Sequence, residues 1–433
     1  MKIKSIELTY LNVPFTPHTD KHLKYWLPHW HITQICRLTM DNGIVGIGET
    51  IPNYTWSKVP EDIEDQILGE EAASLMWNDG IGAGVQMAIF DAMGKHENVP
   101  AYQLLGNKVR DYVPLSWWNM DMPAADWAQQ CYDAHKAGYT SAKLKARTWQ
   151  DVRGAVEAVL KRVPAHFHLD FDYNGTLDNA ANAVAHLKQM EAYPQVAMIE
   201  SPIPQGDVAG SQQIRSRINK AVAMHYGSPP IMTTLAQDVT DGFVVCAGAR
   251  SIAEQTAIAD AANKPYWLQL VGTGITTTWA AHLGAVHKAA KWPAITCMNI
   301  WKEQLISKKI QLRGGFHQVP DKPGLGIDLD ERTIKKLTVD YHWVDKAHHV
   351  YRYSRASGEV VYFGCSKEEL QRVYPAHAMP VCERGSVMLP VEDDGSKKFK
   401  EIWEAVKDGN TLRRYEGKKT PARKSASRTR SSR

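Results

Sequence analysis

Four stretches between Ser141 and His225 constrain the fold more than any other feature of this chain. Ser141-Ala-Lys-Leu-Lys145, His166-Phe-His-Leu-Asp-Phe-Asp172, Val196-Ala-Met-Ile-Glu200 and Ala221-Val-Ala-Met-His225 are each apolar runs that finish on a polar side chain. Their termini recur at intervals of 27, 28 and 25 residues, from Lys145 to Asp172, to Glu200, to His225. Amphipathic stretches near 148–163, 178–193 and 207–219 fill the gaps. A parallel strand must be followed by a crossover helix, so this rhythm predicts consecutive βα units. In a parallel barrel the C-terminal strand ends face the reaction, and here all four carry a Lys, a carboxylate or a His.

The flanking sequence supplies four more strands. Val113–Trp117 precedes them, and Gly242–Ala247, Tyr266–Leu270 and Ala294–Met298 follow. Eight such units predict an α/β chain built as a (β/α)8 TIM barrel over residues 113–307. An open doubly wound sheet is the alternative, disfavoured because no Gly-rich phosphate turn follows the first strand. Residues 1–112 read as an α+β capping domain. It has a strand from Lys2 to Leu11, then strands Gln34–Met40 and Val45–Glu49 joined by the hairpin turn Asp41-Asn-Gly43. Two aromatic loops, His18–His31 and Ile51–Ser57, are placed to close over the barrel mouth, or merely to pack. Residues 308–417 are expected to return to the capping domain and add an extension, with a strand at Glu359–Phe363 and a helix near Lys398–Lys407.

Length and composition fit a multidomain globular chain: 433 residues, 44% apolar and 23% charged. There is no 18-residue apolar run and no signal-peptide core, and the six cysteines show no CxxC spacing, which points to the cytoplasm and away from membranes. The net charge of +4 resides in the tail, since residues 418–433 carry seven positive charges and no acid. That tail reads as a disordered, solvated appendage. Nucleic acid is not an expected partner, because no aromatic residues interleave the charges.

In order, Gly46-Ile-Gly-Glu49, Ala88-Ile-Phe-Asp-Ala92 before Leu105-Gly106, Lys143-x-Lys145, Asp172-Tyr-Asn174, Ile199-Glu-Ser-Pro202 and Pro323-Gly-Leu-Gly326 resemble the enolase superfamily. The likeness is to its mandelate racemase and muconate-lactonizing branch, and covers roughly residues 1–330. The resemblance implies a capped, modified barrel, a divalent metal ion (usually Mg²⁺) and abstraction of the proton α to a carboxylate. It implies Lys145 as base with Lys143 as its electrostatic partner, and Asp172 and Glu200 as anionic metal ligands. On a strand Lys143 and Lys145 share a side, and one ammonium beside another lowers its pKa. Lys143 could equally just neutralise Asp172 or Asp170.

Three positions depart from that pattern. Strand five ends in His225 where a third carboxylate is expected; His225 is read as a metal ligand, as an acid or base, or as packing. As a ligand it would favour Mn²⁺, Fe²⁺ or Zn²⁺. Strand six ends in Cys246-Ala-Gly248, and strand seven carries Gln269 near where a His base would lie, so a second base is missing. The resulting expectation is a lyase or isomerase acting on a small hydroxylated carboxylate, most plausibly an acid-sugar dehydratase, and a homo-oligomer. His225 or His317 would protonate the leaving hydroxyl, and Trp117, Asn119, Asn299 and Trp301 are candidates for the pocket wall. The alternative is a non-catalytic relative that binds a carbohydrate acid or a partner.

Overall fold

A computed structural model describes residues 1–54, 56–341 and 348–415. The basic tail 418–433 lies outside the described residues. The chain opens with an antiparallel sheet of β1 (Ile3–Asn12), β2 (Ile32–Met40) and β3 (Val45–Thr50), in that order. The helix Ala83–Glu97 packs directly on β3. Gly46 and Gly48 permit this: a Cβ on either would stand 1.9 Å from a helix carbonyl oxygen, of Ala88 and Gly84 respectively. The loop expected at His18–His31 is in part the helix Pro17–Trp26.

The barrel strands are β4 (Tyr112–Asn119), β5 (Ser141–Leu144), β6 (His168–Asp172), β7 (Val196–Glu200), β8 (Ala221–His225), β9 (Gly242–Val245), β10 (Tyr266–Leu268) and β11 (Ala294–Ile295). They pair in parallel from β4 through β10, with β11 on the other edge of β4. A parallel bridge between Gln269 and Ile295 and the Leu270 N–H to Ile295 carbonyl bond (3.1 Å) join β10 to β11 and close the ring. The eight-stranded barrel expected from the spacing is therefore present. The helices Val152–Leu160, Ala180–Met190 and Val208–Arg215 occupy the three predicted crossovers, each with an Asp or Asn side chain accepting a backbone N–H at its start.

After the barrel, β12 (Phe316–Gln318) runs antiparallel beside the beginning of β4. The helix Glu331–Leu337 returns to β1, where Arg37 Nη2 meets Glu331 Oε2 at 2.7 Å. A separate antiparallel sheet follows, of β13 (His349–Ser354), β14 (Glu359–Cys365), β15 (Val387–Val391) and β16 (Thr411–Tyr415), in the order β15-β13-β14-β16. Its helices are Lys367–Ala376 and Lys397–Val406. No helix among the described residues is long and apolar enough to cross a membrane.

Two buried carboxylates tie the first domain to the rest of the fold, Glu49 to the barrel and Asp91 to the segment that follows it. Glu49, at the end of β3, accepts the backbone N–H groups of Thr273 and Thr276 and the Thr276 hydroxyl, at the start of the helix Gly274–Val286. A helix N-terminus carries unpaired N–H groups and partial positive charge, which an anion satisfies. Asp91 accepts from the N–H groups of Ile47 (2.9 Å) and Leu325 (2.7 Å), with Lys95 at 2.6 Å. The motifs at 46–49, 88–92 and 323–326 are thus ties between parts of the fold.

Candidate active site

Register brings the four polar strand ends together. Lys143 lies opposite Asp170, Asp172 opposite Glu200, and His225 follows on the next strand. Asp172 and Glu200 are buried, as is Lys143 to its tip. Lys143 Nζ stands 2.5 Å from Glu200 Oε2, 3.5 Å from Asp172 Oδ2, and donates to Gln269 Oε1 at 2.6 Å. Lys145, just past β5, forms an ion pair with Asp172 Oδ2 and donates to Asn174 Oδ1 at 2.9 Å. Asn174 in turn donates its backbone N–H to Asp172 Oδ1. His225 Nε2 is 3.2 Å from Glu200 Oε1 and its ring is about one-third exposed.

The charges respond to this crowding. Burial opposes the charge of Lys143, but Glu200 and Asp172 outweigh it and hold its pKa above the ordinary lysine value. Burial dominates at Lys145, whose pKa is lowered despite Asp172, with Lys143 and Arg147 pushing the same way. The expected neighbour effect of Lys143 is therefore present but secondary. Burial also disfavours the Asp172 carboxylate, yet Lys145, Lys143 and Arg147 keep its pKa well below the usual range. Asp170, desolvated beneath them, is pushed up to about 7.

A cavity of about 420 Å³ opens above this cluster. Lys145, Arg147, Asn174 and Gln269 reach it from the barrel, with Met120, Val271 and Ile295 as apolar floor. Both aromatic loops supply wall: Tyr25, Trp26 and Trp30 from the first, Asn53 and Tyr54 from the second. Trp30 packs on Tyr54 with ring centroids 4.5 Å apart and stacks on Trp118 at 5.6 Å. Arg147 is fixed by the Asp172 carbonyl (3.2 Å) and Asp121 (3.4 Å).

Several expected site residues lie elsewhere. Of Trp117, Asn119, Asn299 and Trp301, none lines the cavity; Trp118 does. The strand phase is one residue off, and a shift by one turns every side chain to the other face. Trp117 bonds Gln130 on the barrel's outer side, while Asn299 clamps the Trp118 backbone (3.0 and 2.9 Å) and Trp301 donates to the Trp30 carbonyl. His317 pairs with Val113 at the start of β4, the end of the barrel away from Asn119, and cannot serve the site. His225 touches Glu200 but does not line the cavity. The wall from residues 349–371 was not foreseen, since nothing in its sequence marks chemistry.

Among the described residues no group of three or more His, Cys, Asp or Glu is gathered so as to hold a metal ion. Asp172, Glu200 and His225 are neighbours along the strand ends, but the carboxylates face lysine ammonium groups. As arranged, these side chains do not form the cage that the implied divalent ion needs.

A family model described as enolase C-terminal domain-like matches residues 126–333. The N-succinyl-L-Arg/Lys racemase of Bacillus cereus is 26% identical, over 78% of this chain and 98% of its own. The D-xylonate dehydratase of Haloferax volcanii is 24% identical, over 71% and 85%. The crystal structure of muconate cycloisomerase from Pseudomonas fluorescens superposes with a TM-score of 0.64 at 21% identity, over 78% of this chain and 99% of that one. With the barrel, the capping sheet and the ordered motifs in place, the chain is similar over most of its length, in sequence and in fold, to enolase-superfamily proteins of the mandelate racemase and muconate-lactonizing kind.

Proposed function

We propose that the protein abstracts the proton α to the carboxylate of a small molecule, with Lys145 as the base, as a lyase or isomerase of the enolase-superfamily kind. The observation that carries this reading is the Lys145 amine: buried, with its pKa lowered, and opening into a cavity beside the Arg147 guanidinium. A carbon acid next to a carboxylate becomes an enediolate with two charged oxygens, which fixed positive groups stabilise without reorganising. Arg147 is placed to bind the carboxylate. In its unprotonated form, which the lowered pKa makes more accessible, Lys145 takes the α-proton, and Lys143 keeps the charge of Asp172 and Glu200 balanced beneath it. Once protonated, Lys145 can return that proton to a leaving group or a carbon on the same face.

Members of the superfamily use a divalent metal. In this chain Asp172, Glu200 and His225 are the set such an ion would have to use, and it would have to displace Lys143 from Glu200. The steps above need only the chain's own groups. Acid-sugar dehydration is one reaction within this scheme: aromatic and aliphatic side chains share the cavity wall with polar ones such as Asn53, Asn174, Gln269, Ser366 and Gln371, which can partner the hydroxyls of a polyhydroxy acid. The Lys143 bridge between Glu200 and Asp172 favours a second reading, a binding protein without turnover.

Deuterium exchange separates the two. The protein is incubated in D₂O with N-succinyl amino acids, muconolactone and D-xylonate, with and without Mg²⁺ or Mn²⁺, and followed by proton NMR. Exchange of an α-hydrogen by wild type and not by Lys145→Ala supports catalysis. No exchange with any of them, alongside measurable binding, supports the second reading.

A further inference from the structure

Three separate parts of the chain enclose the cavity. The third is the C-terminal sheet unit, through His349 on β13 and the helix Lys367–Ala376. The family match stops at residue 333, and the Bacillus racemase is covered over 98% of its length by 78% of this chain. Roughly a fifth of this chain therefore has no counterpart there.

This wall is held rigidly. Tyr351 stacks on Trp26 at 5.0 Å, Tyr374 meets Trp149 edge-on at 5.6 Å, and the Cys382 N–H donates to the Thr148 carbonyl at 2.6 Å. A complete capping box, Ser366 with Glu369, fixes the start of the helix. On its cavity side Gln371 is half-buried, and its amide has no hydrogen-bond partner among the described residues. Nearby Lys367 and Glu368 lie 3.7 Å from each other, so this part of the wall carries no net charge.

We propose that Gln371 is a specificity-determining residue: its amide hydrogen-bonds the part of the ligand that projects beyond the barrel mouth. The ligand class follows from the three walls. Lys145 and Arg147 take a carboxylate, Trp30 and Trp118 take an apolar or planar body, and Gln371 takes a neutral polar end group such as an amide. A primary amide both donates and accepts, and so matches another amide without burying a charge. The proposal rests on the cavity being the substrate pocket proposed above, and it names what that pocket holds.

The test reads binding, not turnover. Trp30 and Trp118 line the cavity, so quenching of tryptophan fluorescence in the full chain reports its occupancy. Two probes are titrated, 3-phenylpropanoate and 3-(4-carbamoylphenyl)propanoate. Wild type should bind the carbamoyl probe about tenfold more tightly, the worth of one well-placed hydrogen bond. Gln371→Leu, similar in volume and on a half-exposed position, should lose that preference and bind 3-phenylpropanoate as well as before. An unchanged preference, equal weakening of both probes, or no quenching by either in wild type overturns the proposal. Intact selectivity with no deuterium exchange would instead sink only the catalytic reading.

Discussion

Lys143 Nζ stands 2.5 Å from Glu200 Oε2, with both side chains about 1% exposed. Neither group can reach water, so each is the other's principal compensation for burial. Removing one partner of a buried pair leaves an uncompensated charge and costs about 3–5 kcal/mol. Lys143→Met should therefore lower the thermal midpoint markedly at pH 7. Thermal melts of wild type and variant at pH 7 check this; an unchanged midpoint would show that the pair does not hold the fold together.

Lys145 is a separate case, because it opens into the cavity and its pKa is lowered. Lys145→Ala should cut α-hydrogen exchange by about 10²–10⁴-fold, the usual worth of a positioned base. With no second base opposite, exchange in wild type should proceed from a single face. Exchange from both faces would reveal a base outside the residues described.

The metal question turns on His225. Its neutral ring adds no charge to Asp172 and Glu200, so Mg²⁺ should bind weakly and Mn²⁺ or Zn²⁺ better. His225→Asp should raise Mg²⁺ affinity by restoring a third anion. Calorimetry on both proteins measures it, and no gain in the aspartate variant would remove His225 from any ligand set.

Four buried histidines set the acid limit of stability. Burial lowers the pKa of His186, His282, His287 and His317 to about 4 each. Unfolded histidine titrates near 6.5, so below that pH the unfolded chain binds more protons than the folded one. Their contribution is complete above about pH 6.5 and is lost as pH falls towards 4, by about 1–2 kcal/mol per histidine at pH 5. Denaturant unfolding at pH 7 and 5 should show this loss, and His317→Gln should lessen it by one histidine's share.

Glu49 should matter to assembly more than to chemistry. Its fully buried carboxylate receives two backbone N–H groups and the Thr276 and Thr33 hydroxyls. Hydrogen bonds to a charged group contribute about 1.5–3 kcal/mol each. Glu49→Gln, which turns an NH₂ towards those donors, should loosen the first domain from the barrel. Limited proteolysis would register that as faster cleavage between residues 97 and 112.

The strand ends at Lys145, Asp172, Glu200 and His225 were legible because period and spacing are local and the barrel converts them directly into proximity. The pocket wall was not. Trp118 was missed in favour of Trp117 because a polar-ended strand fixes its face only to within one residue. His317 was misplaced because β12 folds back on the start of β4, a long-range pairing that no local pattern announces. Lys143 is open to pairing with Asp172 or Asp170 in the sequence, yet its shortest contact is to Glu200, because a four-carbon stem can reach any of several carboxylates and only packing decides which.

Gln269 stands where the sequence pattern calls for a base, yet its place has not become idle. Its side chain receives Lys143 and donates to Tyr54 of the second aromatic loop at 2.8 Å, while its backbone bridges to Ile295 where the ring of strands closes. One residue is thus hinge-pin to the buried charges, the roof of the cavity and the seam of the barrel. The shortest strands of the ring, β10 and β11, meet at that seam. A molecule in the cavity that moves Tyr54 therefore acts on the side chain of a residue whose backbone sits in that seam, which makes the seam the place to look for a change in the breathing of the fold on occupancy.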